Sequence, residues 1–400
     1  MQAKDSSLEW AIIGGGIHGT YLANMLLTHG YASHSDIRVI DPGNRLLQNW
    51  RKVTSSVDMQ FLRSPGVHHI GADPLSLKDF AQKSTAQEKL FMSPNDRPSL
   101  KLFNAHSDDV ILKNRLAELH CQGFALNIET GSGLSRIHTG FETLKARNVI
   151  LATGQTGSPF WPEWAQKARK DGANIQHVLD PLFSKKAIPD SGEIVVVGGG
   201  ISAVQTALSL SGGGRNIKLL SPHPMRYNNY DADPGWMGPK YLSGYSRIRS
   251  SRKRRSVIRA ARNTGTITHE LRHELALSQK QKECTLFVDQ TESCSVMADN
   301  LMLLRLLSGE KTGANCIVLA TGYKKERPGG FLIDQLIDRY SLQISACGYP
   351  ETGSDLQWQD GLFVTGALAE LEVGPASRNI IGARMAANRI LKSLSKQSAA

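Results

Sequence analysis

The segment EIVVVGGGISAVQTA, residues 193–207, repeats the plan of EWAIIGGGIHGTYLA, residues 9–23. Each is an apolar run that reads as a strand, then a glycine cluster, then a helix of small and apolar residues. A second strand follows each time: IRVID after the first unit and NIKLLS after the second. A strand–helix–strand unit of this kind closes into a parallel sheet with a right-handed crossover. Two such units in 400 residues predict an α/β fold with two Rossmann-like dinucleotide-binding domains.

The glycines have separable jobs. In Gly14-x-Gly16-x-x-Gly19, Gly14 allows the tight turn, Gly16 lets backbone N–H groups approach a pyrophosphate, and Gly19 lets the helix pack on the strand. The free amides at the helix start add a partial positive charge. Asp41 closes the next strand, where a carboxylate accepts from ribose hydroxyls. The competing reading is a glycine-rich packing turn. In the second loop, Gly198-x-Gly200-x-x-Ala203, Ser221 stands where Asp41 stood. Without that acid a 2′-phosphate meets no repulsion, and Ser221, His223 and Arg226 are suited to donate to it; this predicts NADPH over NADH. Two loops imply two dinucleotides, divided most naturally into a resident FAD and a visiting NADPH.

The apolar strands ARNVILATG and NCIVLATG, ending at Gly154 and Gly322, bracket the second unit. Their echo predicts nesting: the chain leaves the first domain at the first LATG, builds the second, and returns at the second LATG, with bounds set at 1–185 and 315–400 for the FAD domain and 186–314 for the NADPH domain. Residues 44–105 lack clean periodicity, a helix is expected from Ser107, and a basic helical region over about 245–276.

Composition narrows the function classes. Forty per cent hydrophobic and 21% charged residues are ordinary for a globular chain, and no apolar run approaches a membrane span. The polar start MQAKDSSLEW is unlike a signal peptide, so the cytoplasm is expected. The five cysteines (121, 284, 294, 316 and 347) form no Cys-x-x-Cys pair and no zinc-like spacing. A net charge of +11 is read as solubility and attraction for small anions, since no nucleic-acid motif accompanies it.

The double Rossmann plan with paired ATG segments resembles the two-dinucleotide-binding flavoproteins over nearly the whole chain. Within them it is most similar to the class B flavin monooxygenases, including the lysine and ornithine N-monooxygenases. NCIVLATGYKKERP resembles their D-x3-L-ATGY-x4-P pattern, with Asn315 in place of the Asp, and Leu319, Ala320, Thr321, Gly322, Tyr323 and Pro328 matching. GQTGSPFWP is similar to the G-x4-P-x2-P run after their first ATG. The F-x-G-x3-H-x3-Y/F fingerprint is reduced to His177, and the acidic substrate stretch of the amino-acid hydroxylases is only loosely suggested by YDADPGWMGPK (230–240).

The resemblance implies further roles. Met59 and Gln60 would lie beside the isoalloxazine, with Trp50 and Arg63 near it, and Gln60 would hydrogen-bond N5 or a C4a adduct. The alternative is that Met59, Phe61 and Leu62 are core and Arg63 is a loop salt bridge. At the C-terminus, Gly366 closes a strand and a helix from about Ser377 aims its N–H groups at the reduced flavin, assisted by Arg378 and Asn379. Gln60 and Asn379 are the catalytic candidates. Arg252, Arg255, Arg259 and Arg262 share a helical face, read either as solvated or as a grip on NADPH phosphate or a substrate carboxylate. His269 and His273, with Glu270 and Glu274, lack the HExxH order; they are read as helix surface, and no metal is expected.

The resemblance implies an FAD- and NADPH-dependent monooxygenase that oxygenates a small nucleophile, an amine nitrogen first among them, with O₂ through a C4a-hydroperoxyflavin. An NADPH-dependent reductase that passes electrons to a protein carrier or small acceptor is the alternative. A third reading is a flavoprotein that senses redox state without turnover. Neither nucleic acid nor membrane is an expected partner.

Overall fold

The computed structural model describes residues 7–83, 88–131, 133–155, 158–297 and 301–397. The polar residues 1–6, Ser132, and Thr156-Gly157 of the GQTGSPFWP run lie outside the described residues.

The first glycine unit builds the first sheet. Strand Leu8–Ile13 lies at its centre, paired in parallel with Ile37–Asp41 on one side and Thr143–Leu151 on the other. His120–Gln122 extends one edge and Leu362–Val364, from the far end of the chain, extends the other, both in parallel. Helix Ile17–Thr28 crosses between the first two strands. Gly30 ends it in a left-handed turn, with the Tyr31 amide returning to the Leu26 carbonyl. The C-terminal helix Ile380–Gln397 packs against Ile17–Thr28.

The second unit builds a five-stranded parallel sheet in the order Cys284–Val288, Arg215–Ser221, Gly192–Val197, Cys316–Leu319, Ile175–His177. Its inner strands Gly192–Val197 and Cys316–Leu319 are covered on both faces, so IVVV and CIVL read as unbroken apolar runs. In Gly192–Val197, Ile194 and Val196 enter the core shared with helices Ile201–Leu210 and His269–Lys280. Val195 and Val197 enter the opposite core, under helix Glu163–Lys170 and the antiparallel strands Thr291–Val296, Met302–Leu306 and Lys311–Ala314. One strand thus feeds two cores by its two-residue period.

This sheet corrects the expected boundaries. Ile175–His177 and Cys316–Leu319 pair within the second sheet, so divisions at 185/186 and 314/315 cut through it. The chain crosses instead at 158–160 and 322–324. These two segments run antiparallel, with a bridge between Pro159 and Tyr323. The ATG echo has a local cause: Ala152 and Ala320 each end the strand beside the first glycine of a loop. A Cβ on Gly14 would come within 2.4 Å of the Ala152 carbonyl oxygen, and one on Gly198 within 2.5 Å of that of Ala320.

Other expectations shift. The helix expected from Ser107 spans Leu100–Lys113, because Ser99 caps it through the Leu102 amide. The basic region divides into Ser251–Ala261, a short strand at Thr266–Ile267, and helix His269–Lys280. The C-terminal helix begins at Ile380, not near Ser377, because the Ser377 hydroxyl is turned away to the Gly366 carbonyl.

Candidate active site

Each glycine loop opens onto a cavity. The first, of about 750 Å³, is bounded by Gly14, Asp41, Lys52, Thr153, Gln155 and Lys324, among others. Gly14 has φ +113° and Gly19 abuts the Gly14 carbonyl, so neither tolerates a side chain. Gly16 is different. It caps helix Ile17–Thr28 with no side-chain hydrogen bond, and a Cβ there would meet nothing within 4 Å. The first-turn amides therefore face open space that suits a diphosphate. Asp41 is locked toward this cavity: its Oδ2 accepts from the Gly15 amide at 2.7 Å and its Oδ1 from the Gly43 amide at 2.8 Å. The FAD expected here fits these residues.

The second cavity, of about 720 Å³, is bounded by Gly198, Gly200, His223, Arg262, Thr321 and Lys325, among others. Gly200 caps helix Ile201–Leu210 without a side-chain bond, and Ala203 packs beneath the turn. The nearest atom to a Cβ on Gly200 is the Gly265 Cα at 3.7 Å, so the loop 262–266 forms the opposite wall. This too is a cradle for a diphosphate.

Of the expected 2′-phosphate donors, only His223 lines this cavity. Ser221 is buried and its hydroxyl donates to the His223 carbonyl at 2.6 Å. Arg226 is exposed on a two-residue strand paired with Thr266–Ile267. The arginine and lysine on the wall are Arg262 and Lys325.

The double crossing separates the cavities. The Phe160 amide donates to the Gly322 carbonyl at 2.8 Å and the Lys324 amide to the Ser158 carbonyl at 2.9 Å. Lys324 lines the first cavity and Lys325 the second. Gly322 lines the second with φ +82°; Gly154, with φ +62°, makes the turn between Thr153 and Gln155 at the first. His177 braces the crossing. Its Nδ1 accepts from the Leu179 amide at 3.1 Å, so Nε2–H donates to Thr321 Oγ1 at 3.0 Å, and that hydroxyl donates to the Phe160 carbonyl. Burial holds the His177 pKa down at about 4, keeping it neutral.

At the C-terminus the structure brings Gly366, Ser377 and Asn379 together through a residue that sequence reasoning missed. His18, on the first helix, donates from Nε2 to the Asn379 carbonyl at 3.1 Å and accepts at Nδ1 from the Thr365 hydroxyl at 2.9 Å. Desolvation lowers its pKa to about 4. The Ser377 hydroxyl donates to the Gly366 carbonyl at 2.6 Å, and Gly366 has φ +62°. A histidine between Gly16 and Gly19 was the available signal; its partners, 347 and 361 residues away, were not visible.

Met59, Gln60 and Trp50 do not join either cavity wall. Met59 packs on the second core. Gln60 is exposed, its amide donating to the Asp58 carbonyl at 3.3 Å. The Trp50 indole donates to Asn104 Oδ1 at 3.1 Å and tilts against Phe103. Asn379 lines a separate, very small cavity with Arg63, His68 and Asp231. Arg63 is a brace: it pairs with Asp231 at 2.9 Å and donates to the carbonyls of Asn228 and Tyr230.

The basic face is not uniformly solvated. Arg252 and Arg259 are exposed, but Arg255 turns inward to Glu370, which is 1% exposed and also receives Arg378. Arg262 donates to the Pro375 carbonyl at 2.8 Å. Among the described residues no three His, Cys, Asp or Glu side chains gather as metal ligands, and no helix is long and apolar enough to cross a membrane. All five cysteines are free, and none lines either large cavity.

Comparison with known proteins agrees with this geometry. Residues 11–156 match the FAD-NAD(P)-binding family model, and residues 133–325 match that of L-lysine 6-monooxygenase/L-ornithine 5-monooxygenase. No protein of curated function matches by sequence. Among solved structures, the FAD-bound cadaverine monooxygenase of desferrioxamine biosynthesis from Erwinia amylovora is similar at 15% identity and TM-score 0.76, covering 98% of this chain and 95% of that one. The ornithine hydroxylase of Pseudomonas aeruginosa is similar at 18% and 0.75, covering 98% and 99%. The bacillithiol disulfide reductase of Bacillus cereus shares the fold at 15% and 0.61, covering 98% and 100%. The chain is an oxidoreductase with an FAD-NAD(P)-binding domain, and it resembles the two-dinucleotide-binding flavoproteins and, among them, the class B flavin monooxygenases that include the N-hydroxylating lysine and ornithine enzymes.

Proposed function

We propose that the protein is an NADPH-dependent N-hydroxylating monooxygenase that transfers one oxygen atom of O₂ to the amine nitrogen of a small molecule. The observation that carries this reading is the pair of glycine-capped cavities, one on each side of the double crossing, with adjacent lysines lining one each. Bound FAD would supply the two-electron chemistry between reduced nicotinamide and O₂, with one oxygen atom going to the amine and the other leaving as water.

The chain's own residues bind, orient and exclude water. Amides at the start of helix Ile17–Thr28 would hold the FAD diphosphate, and Asp41, oriented by the Gly15 amide, would accept from its ribose. Amides at the start of helix Ile201–Leu210 hold that of NADPH, with the loop 262–266 closing over it. His18 and Ser377 fix the Gly366 turn against the first helix. Gln60 and Asn379, which line neither large cavity, remain candidates for contact with the flavin ring or the substrate. The absence of cysteines from both cavity walls supports oxygen transfer over disulfide reduction. Burial pushes the Cys316 thiol up to about 12, the wrong direction for a reactive thiolate. Five unpaired thiols also suit a reducing, cytoplasmic setting.

The test is turnover with a panel of diamines and basic amino acids. The expected result is NADPH oxidation accelerated by one class of amine, with a hydroxylamine formed for each NADPH consumed. Oxidation that is indifferent to every amine and yields only hydrogen peroxide would contradict the reading.

A further inference from the structure

Arg262 stands at a junction. It lines the second nucleotide cavity, and the same guanidinium donates from Nη1 to the Pro375 carbonyl at 2.8 Å. Pro375 lies in the loop between the short helix Glu370–Val373 and helix Ile380–Gln397, which His18 ties to the start of the first helix. One side chain therefore reaches from the NADPH side to the segment that closes the flavin side.

Its charge is also unanswered. The carboxylates around it are taken: Asp231 pairs with Arg63 at 2.9 Å, and Glu370 with both Arg255 and Arg378. Arg262 itself makes no ion pair among the described residues. Four arginines thus share two carboxylates, leaving positive charge at the cavity wall. Burial lowers the Arg262 pKa, with Arg378, Arg63 and Arg255 adding to the same direction and Asp231 opposing it. A partly desolvated guanidinium with free donors, at the edge of a cavity built for a diphosphate, is a strong anion anchor.

We propose that Arg262 binds a phosphate of the pyridine dinucleotide and, by its simultaneous bond to Pro375, couples occupancy of that cavity to the flavin-closing loop. The inference rests on the reading of the second cavity as the NADPH site. It makes Arg262 a binding and positioning residue.

The experiment uses FAD-loaded enzyme titrated with NADP⁺, followed by the flavin absorbance difference spectrum, with NAD⁺ as a parallel titrant. Wild type is expected to bind NADP⁺ with a distinct flavin perturbation. Arg262→Gln is expected to keep its FAD, since Arg262 is outside the first cavity, and to bind NADP⁺ roughly 10- to 100-fold more weakly, the loss of a charge-assisted hydrogen bond. Arg262→Lys keeps the charge but not the fork. It is expected to recover most of the affinity, with a diminished flavin perturbation at saturation. An equal loss for NAD⁺ assigns the anchor to the diphosphate, and a loss confined to NADP⁺ assigns it to the 2′-phosphate.

Affinity within twofold of wild type in Arg262→Gln overturns the anchor, as does a change confined to the KM of the amine. A full wild-type perturbation at saturation in that variant overturns the coupling, and loss of FAD from it reduces Arg262 to a structural brace. A wild type that holds FAD and shows no NADP⁺ binding overturns the underlying reading with it.

Discussion

Gly16→Ala separates binding from folding. Gly16 has φ −74° and ψ −167°, a conformation open to alanine, and its Cβ would touch nothing within 4 Å. The change should leave the apoprotein as stable as before, or more stable by about 0.4–1 kcal/mol through reduced freedom of the unfolded chain. The new methyl projects into the space before the helix N-terminus. There it would displace the diphosphate from one charge-assisted amide bond, worth about 1.5–3 kcal/mol, and weaken the helix-end attraction by about 0.5–1 kcal/mol. Together that is about 2–4 kcal/mol, or roughly 30- to 700-fold in Kd. Thermal unfolding of the apoprotein and quenching of free FAD fluorescence on binding measure the two quantities. Gly14→Ala is the contrast: its Cβ would lie 2.4 Å from the Ala152 oxygen at φ +113°, so it should cost about 2–4 kcal/mol of apoprotein stability. The reasoning is refuted if Gly16→Ala destabilises the apoprotein as Gly14→Ala does, or if it binds FAD as tightly as wild type.

Further outcomes follow from named contacts. Gly200→Ala meets only an ordinary contact at 3.7 Å, so it should weaken NADP⁺ while leaving FAD affinity within about twofold of wild type; equal weakening of both would contradict the assignment of the loops. Glu370→Gln leaves Arg255 and Arg378 buried without their carboxylate and should cost about 3–5 kcal/mol in urea unfolding, against less than 1 kcal/mol for an exposed pair. His18, His68, His69, His106 and His177 all have pKa values lowered by burial from 6.5 to about 4. The unfolded chain therefore binds more protons between these values. The stability that these histidines contribute is fully present above pH 6.5 and is lost as pH falls through 4. Urea midpoints of the apoprotein should fall steeply over that window, and less steeply in His177→Asn; a flat profile would show the imidazoles are not buried neutral.

The glycine loops were legible because their requirement is local. A positive φ, a helix packed on a carbonyl and an uncapped helix start each demand a residue without a side chain, at fixed spacing. The central strands were legible for a similar reason: burial on both faces leaves an apolar run of recognisable length. The ATG echo does locate the crossings, which follow Gly154 and Gly322 directly; the expected bounds at 185/186 and 314/315 lie away from it. It marks equivalent positions in two separate sheets, where Ala152 and Ala320 abut a glycine. Ile175–His177 is three residues long and carries no signal of its sheet. What joins the halves was hidden altogether. His18 to the Asn379 carbonyl, Arg262 to the Pro375 carbonyl and Arg97 to the Glu270 carboxylate are contacts across 361, 113 and 173 residues, made by polar side chains that obey no period. The basic helix shows the limit: spacing put four arginines on one face, but only their partners decide that Arg255 and Arg262 turn in while Arg252 and Arg259 stay in water.

Anaerobic mixing of NADPH with the FAD-loaded protein is the most direct trial of the proposed pair of nucleotide sites. The flavin band should bleach fully at stoichiometric NADPH, and Gly200→Ala should slow the bleaching at limiting NADPH without releasing FAD. A flavin that stays oxidised beside excess NADPH, in protein that retains its FAD, would contradict the account.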